Sequence, residues 1–433
     1  MSDFVTGDKL NLLNGDSITV KSKLGEGGQG TVYSVLYNKK EYALKWYLPN
    51  YLKNLKPNCS MFYRNLVDNV ESGSPSPVFL WQKAIAVTGK HSEGFGYLMD
   101  IRPQEYEEFT KFIKAKVTFQ STEAVIKAAI NVIEAFQALH RKGLSYQDLS
   151  PGNFFINKIT GDVLVCDNDN VAPNGINLGV GGTPGYMAPE VVLGTSAPNT
   201  DTDLFSLSVI LFELFFMSHP LDGANCCRYP CLTQQVEKSL YAENPVFVMD
   251  KNGTNPPVRG VHSNLIKLWP AYPEFLHDAF QQAFGPGIKD PNKRLTESDW
   301  KKILYKLLDE SLLCPKCKEI NFADMAKNGA IRCECGKTYP ITYKVVVNNN
   351  ELYASVGREI TDYHLSHGSF KKVIASFVES KKNPGVLGLK NVSDVTWYVK
   401  YPGKPLMTYE PSKVVTMIPD TVITVESKKL IIK

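Results

Sequence analysis

A chain of 433 residues exceeds what one compact core serves, so two or three domains are expected. Hydrophobic content of 43% and charged content of 21% describe an ordinary soluble globular protein and exclude a low-complexity one. The net charge of +4 is small and unevenly placed, with 18 Lys/Arg against 11 Asp/Glu over residues 311–433 and 30 against 33 before them; that mildly basic tail suits an acidic or phosphorylated partner and is far from a nucleic-acid footprint.

The first ten residues, MSDFVTGDKL, lack the basic and apolar regions of a secretory signal. The most apolar stretch, 204–217, is too short to span a bilayer and contains Glu213, so it reads as a buried helix and no membrane partner is expected. Nine cysteines without a signal suit a reducing cytoplasm, where thiols pack or bind metal. A cytoplasmic location is the expectation.

Residues 24–45 alternate like a β-meander: a glycine-rich turn, "TVYSVLY", an "NKK" turn, then "EYALKWY". The turn "GEGGQG" fits G-x-G-x-x-G through Gly25, Gly27 and Gly30, with Gly28 beside them. In dinucleotide-binding folds a helix follows such glycines. Here a β-pattern follows, which favours a hairpin whose bare backbone N–H groups approach phosphate oxygens, with a plain turn as the alternative. Lys45 lies fifteen residues after Gly30 on a predicted strand. With Ala43 and Leu44 before it, it matches the V-A-I-K pattern whose lysine holds nucleotide phosphates. A solvated strand lysine is the bland reading, and the glycine turn reverses that preference.

Apolar residues at helical spacing from 121 to 143 predict an amphipathic helix ended by Gly143. "SYQDLSPGNFFIN" (145–157) follows and places Asp148 five residues before Asn153, the spacing of H-R-D-L-x-x-x-N. Phosphoryl transfer needs a carboxylate to orient the attacking hydroxyl and accept its proton, and an amide oxygen to hold Mg²⁺; the short spacing puts both on one loop. "NFFIN" and "DVLVCD", joined by "KITGD", read as a hairpin. Asp167 ends its second strand, where the metal-binding D-F-G aspartate would fall, spelled here "DND". "GTPGYMAPE" (182–190) carries an intact A-P-E. "DTDLFSLSVILFEL" puts Asp203 at the start of the buried helix, and "DPNKRLT" supplies Arg294 as a partner for Glu190.

Taken in order, these strings resemble a eukaryotic-type serine/threonine protein kinase catalytic domain over residues about 20 to 305. The resemblance implies ATP and Mg²⁺ as cofactors, with Asp148, Lys45 and Asn153 as catalytic residues. It implies nucleotide binding by Gly25, Gly27, Gly28, Gly30 and Lys45, and Mg²⁺ binding by Asn153 and Asp167. Val32 and Ala43 would roof the adenine, Met99 would be the gatekeeper, and Asp100 and Arg102 would offer backbone groups to the adenine edge. The arrangement is similar to the kinase component of bacterial tellurite-resistance-associated (TerY-P type) systems, which implies a protein substrate and a phosphatase or von Willebrand-type partner protein.

Departures accompany the matches. Tyr146 and Gln147 replace His-Arg, and without that arginine a phosphate on the following segment loses its usual partner. That segment, 168–182, contains no Ser, Thr or Tyr, so activation by loop phosphorylation is not expected. Ser150 stands where a lysine usually contacts the γ-phosphate. In "MFYRNLVDNVESG", where the helix glutamate partner of Lys45 should lie, the best-aligned residue is Asn65, with Asp68 and Glu71 as the nearest acids. An amide there is expected to leave Lys45 less firmly oriented.

Cys314, Cys317, Cys333 and Cys335 form C-x2-C-x15-C-x-C, four thiolates that suit closed, structural zinc, with a surface of free thiols as the alternative. "CCRYPC" (226–231) has three more thiols and no evident fourth ligand, and reads as packing or an exposed loop. From about residue 346 the alternation and the turn clusters "NNN", "KKNPG" and "YPGK" predict a β-sandwich. It is similar to the forkhead-associated phosphopeptide-binding fold, which would make Arg358 and Asn391 phosphate and peptide contacts; a docking sandwich that reads no phosphate is the alternative. The expected fold is α+β: a bilobal kinase-like domain (1–310), a zinc ribbon (311–345) and an all-β sandwich (346–433). The expected function is Mg·ATP-dependent transfer to Ser/Thr of a partner protein recruited by the tail. A nucleotide-binding pseudokinase scaffold is the alternative, and a small-molecule kinase is a weaker third.

Overall fold

The computed structural model describes residues 4–88, 94–348, 350–366, 372–383 and 385–433. The predicted turns "NNN" and "KKNPG" each include a residue, 349 and 384, outside that set. The chain divides into two compact units: residues 1–120, 127–269 and 278–301 form one, and 121–126, 270–277 and 302–433 form the other.

The first unit opens with a closed barrel of β1 (Lys9–Leu12), β2 (Ser17–Glu26), β3 (Gly30–Tyr37), β4 (Lys40–Tyr47), β5 (Ala84–Val87) and β6 (Phe95–Met99), in the order β1-β2-β3-β4-β6-β5. The predicted meander is β2 to β4, paired antiparallel with Gly30 opposite Tyr47 and Lys40 opposite Tyr37. Alternation divides the barrel's apolar residues between two cores. Val20, Val35, Leu44 and Leu98 fill one; Ala43, Tyr47, Tyr97 and Met99 fill the other. The second core includes Phe62 and Leu66 of the helix Cys59–Ser72 (labelled α2, after the short α1, Pro49–Asn54).

The rest of this unit is largely helical, as the periodicity predicts. The amphipathic stretch forms a helix over Thr122–Arg141, and the hairpin pairs Phe154–Asn157 with Val163–Val165. The apolar run lies in the helix Thr200–Phe216, buried from Thr202 to Phe216 and started by a capping box between Asn199 and Thr202. Among the described residues no helix is long and apolar enough to cross a membrane.

In the second unit Ser311–Leu313 pairs with Ile320–Phe322, and Ala330–Arg332 with Thr338–Pro340, each antiparallel. The buried apolar cluster of this ribbon is Leu312, Ala323 and Ile331, far less than a core of its own requires. A sandwich of antiparallel sheets follows. One has six strands in the order Asn350–Tyr353, Lys344–Val347, Lys428–Ile432, Val422–Val425, Trp397–Lys400, Leu406–Tyr409. The other has four: Glu359–Thr361, Val373–Glu379, Leu387–Asn391, Val414–Thr416. Val345, Leu389, Trp397, Val399, Val415 and Ile423 are fully buried between them, as inward-facing residues of a sandwich are.

Candidate active site

Lys45 lies on β4 opposite Tyr97 of β6, and Ala43, two residues earlier on the same face, lies opposite Met99. Val32 pairs with Lys45 from the other side. Gly25, Gly27 and Gly28 have open space where a Cβ would be, whereas a Cβ on Gly30 would stand 2.5 Å from the Trp46 carbonyl oxygen. Gly30 is therefore required by strand packing, and the other three leave the hairpin bare. The side chains of Asp100 and Arg102 have partners of their own: Asp100 pairs with Lys83 at 3.0 Å, and the Arg102 guanidinium stacks 4.1 Å over Phe155.

The Lys45 ammonium is buried and meets Asp167 at 3.1 Å, both oxygens of Asp169 at 3.1 and 3.0 Å, and the Gln29 amide oxygen at 2.6 Å. Burial alone would lower its pKa; the Asp169 and Asp167 charges overcome that and raise it. The expectation of a loosely held lysine is thus corrected. Asn65 does not face Lys45: its amide donates to the Val171 carbonyl at 2.7 Å, beside Asn69 at 3.1 Å. Asp68 and Glu71 are exposed. The missing carboxylate comes from Asp169, which the sequence reading passed over. The available signal was a second acid two residues after Asp167 in a chain whose helix had none to offer.

Asp167 itself has left-handed backbone (φ 50°, ψ 43°), a conformation aspartate tolerates. Its side chain is 41% exposed, so an ion can reach it. Between the two acids, Asn168 is buried and donates to the Leu80 and Val165 carbonyls at 2.9 and 3.0 Å. Tyr146, in the place of the family histidine, donates to the Cys166 carbonyl and at 3.0 Å to that of Asp167. That bond ties the Asp148 loop to the Asp167 loop.

Asn153 caps its own loop, donating to the Asp148 carbonyl at 2.7 Å, which leaves its amide oxygen as the group for a metal. The Asp148 carboxylate accepts from the Thr183 backbone N–H at 2.9 Å and hydroxyl at 2.7 Å. Burial raises its pKa above the ordinary value, opposed by those two donors and reinforced by the Asp167 charge. Gln147 donates to the Ile176 carbonyl and accepts from the Leu178 N–H at 3.0 Å, bracing the 168–182 segment with a neutral amide.

Arg294 forms a bidentate pair with Glu190 at 2.6 and 2.9 Å and also donates to the Gly287 and Asp201 carbonyls. Asp203 accepts from His140 at 3.0 Å and from the Tyr146 N–H at 2.7 Å. His140 also meets Glu297. Against a burial that disfavours its charge, these two acids raise the His140 pKa to about 9.

The sulfurs of Cys314, Cys317, Cys333 and Cys335 all lie within 4.8 Å of one another, with Cys314–Cys335 and Cys317–Cys333 both at 3.6 Å. Tetrahedral zinc with bonds of about 2.3 Å sets sulfurs about 3.8 Å apart, so the cluster fits that ion. Cys227 and Cys231 are exposed. In the sandwich, Asn391 is fully buried and donates to the Val395 and Tyr409 carbonyls. Arg358 is buried and lies 3.3 Å from Glu123. Asn391 is thus turned into the sandwich and Arg358 is taken up by Glu123, contrary to the peptide-contact expectation.

A profile of the protein kinase domain matches residues 18–247, more than half of the chain. The chain is similar to the probable serine/threonine-protein kinase gdt4 of Dictyostelium discoideum (24% identity over 57% of this chain and 15% of that protein). It is similar to the probable serine/threonine-protein kinase 2 of Plasmodium falciparum (26%, over 54% of this chain and 46% of that one). It is also similar to the serine/threonine-protein kinase sck2 of Schizosaccharomyces pombe (34%, over 24% and 16%). The chain thus spans less than half the length of each of these relatives. With that match over more than half of the chain and serine/threonine kinases among its relatives, the chain belongs to the protein kinase family, on its serine/threonine side.

Proposed function

We propose that the chain is an active protein kinase that moves the γ-phosphate of Mg·ATP to Ser or Thr of a partner protein. The observation that carries this reading is the convergence of Lys45 and Asp167 at 3.1 Å beside a loop on which Asn153 anchors the backbone of Asp148. Mg·ATP, when bound, supplies the phosphoryl group and the cation that neutralises its developing charge. Asn153 and Asp167 are the residues to hold that cation, Lys45 and the hairpin of Gly25, Gly27 and Gly28 to hold the phosphates. Val32, Ala43 and Met99 line the adenine side, with backbone groups of Asp100 and Arg102 at its edge. Asp148 orients the substrate hydroxyl and takes its proton; its raised pKa makes it a better base than a free carboxylate. Thr183, which occupies the Asp148 carboxylate here, stands where that hydroxyl would approach.

The Glu190–Arg294 pair anchors a shelf for a peptide, which favours a protein over a small molecule as acceptor. The four-cysteine cluster suits structural zinc, and the tail is a recruiting module for the partner. A cytoplasmic setting in a tellurite-resistance-associated (TerY-P type) system, with a phosphatase or von Willebrand-type partner protein, is the context that the sequence resemblance supports.

A nucleotide-binding scaffold is the second reading, favoured by Ser150 in the place of a lysine and by Gln29, whose side chain lies on Lys45 where phosphates would sit. A labelled γ-phosphate transfer assay with and without Mg²⁺, followed by site mapping, separates the two. Mg²⁺-dependent label on Ser or Thr supports the kinase. Tight nucleotide binding without transfer supports the scaffold.

A further inference from the structure

The acid that orients Lys45 lies in the wrong element for a kinase. Phosphoryl transfer by these enzymes depends on an ion pair between the strand lysine and a glutamate of the adjacent helix, and α2 offers Asn65 instead. That side chain is committed to the Val171 carbonyl, and the two acids of α2 face solvent. Asp169, 124 residues from Lys45 in sequence, fills the gap with both its oxygens.

The setting of Asp169 differs from that of Asp167 two residues earlier. Its side chain is 0% exposed against 41%. It also accepts from the Tyr47 hydroxyl at 2.6 Å and the Tyr97 hydroxyl at 3.2 Å. Tyr47 follows Lys45 by two residues on β4, and Tyr97 is the register partner of Lys45 on β6. The carboxylate is therefore enclosed by three donors of two neighbouring strands, with its lone pairs directed at them. A hydrated ion cannot reach it, whereas Asp167 stays open on one side.

We propose that Asp169 is the positioning residue for Lys45, taking over the task that the helix glutamate performs elsewhere, and that the two aspartates divide the work: Asp169 fixes the lysine and Asp167 is left for the metal. This rests on the kinase reading above. Holding the lysine from the metal-binding loop itself makes the site independent of α2, whose approach then carries no charge into the cleft. It also explains two tyrosines in the apolar core of the barrel, since an enclosed carboxylate needs donors beyond one ammonium.

The test uses the full chain and measures kcat, ATP KM, Mg²⁺ dependence and binding of a non-hydrolysable ATP analogue. Asp169→Asn should lower kcat about 10²-fold, as a mispositioned group does, and weaken nucleotide affinity less, by about fivefold. It should also raise the Mg²⁺ concentration needed for half-maximal rate, because Lys45 then leans on Asp167 alone and competes with the ion. Asp169→Glu should retain more activity than Asp169→Asn. In the Asp169→Asn background, Asn65→Glu should recover at least about tenfold of the lost rate by returning a carboxylate to the helix. An Asp169→Asn protein with undiminished kcat and unchanged Mg²⁺ dependence would overturn the proposal. If that variant fails to fold, the Asn65→Glu double variant decides: a folded, active double variant supports the assignment and anything less refutes it. Should the unmodified chain transfer no phosphate, the kinase reading fails separately. The analogue then carries the test, with weakened binding in Asp169→Asn restored by Asn65→Glu as support and equal binding as refutation.

Discussion

Around Lys45, charged and amide side chains that lie as far as 124 residues apart are brought within about 3 Å by cores that surround them. Phe62, Leu66 and Tyr97 are fully buried beside the lysine, and Tyr146 and Asn168 tie the loops from behind. In the four-cysteine segment, two short hairpins bring four sulfurs together over a cluster of three buried apolar side chains. The cleft thus has apolar burial behind its polar groups, whereas the four-cysteine segment has little of its own. The same inventory of polar groups at one point has opposite thermodynamic standing, because one has apolar burial behind it and the other lacks it.

The largest effect that separates the regions is on the ribbon. Cys333→Ser should abolish binding of one zinc ion, whose ligation contributes about 10–16 kcal/mol in small peptides, and should open residues 311–345 to proteolysis. Nucleotide binding at Lys45 should be unchanged. Elemental analysis and analogue binding on one sample check both halves, and parallel loss of the two would break the contrast.

In the cleft the scaffold should survive the loss of a functional group. Asp148→Asn should bind nucleotide normally while phosphoryl transfer falls about 10²–10⁴-fold, the usual worth of a positioned base; undiminished single-turnover rates would remove Asp148 from the mechanism. Arg294→Ala, by contrast, attacks the framework. It strands a part-buried Glu190 and should cost about 3–5 kcal/mol in urea unfolding of the first unit, with the ribbon's zinc retained.

A smaller effect depends on pH. The His140 pKa is raised to about 9 by Asp203 and Glu297. A raised pKa means that the folded state binds the proton more tightly, so this stabilisation is whole below about pH 6.5 and fades as pH climbs through about 9. Melting temperatures across that window should fall in the unmodified chain and flatten in His140→Gln. The smallest effect expected is none: with Gln147 bracing Ile176 and Leu178 and no hydroxyl from 168 to 182, phosphatase treatment should leave the rate unchanged. Loss of activity, recovered with a phosphate mapped to that segment, would show that the brace is insufficient.

Much of the catalytic unit was legible in the chain because its signals are local. A glycine turn ahead of alternating residues, Lys45 on the next strand but one, and Asp148 five residues before Asn153 are spacings that short backbone segments convert directly into geometry. The cysteine pairs were readable for the same reason, since a turn of two or three residues suffices to aim both thiols at one point. What the sequence alone could not decide was which of several acids Lys45 meets. Asp68, Glu71, Asp167 and Asp169 were all available, and the choice depends on how α2 rotates against the barrel and on two tyrosines 50 residues apart. Arg358 and Asn391 teach the same lesson in the sandwich. The resemblance made them phosphate and peptide contacts, but packing buries Asn391 in the sandwich and holds Arg358 against Glu123. Local patterns encode which elements form; the partners of a buried charge follow from desolvation, which acts on whatever the folded chain brings within about 3 Å.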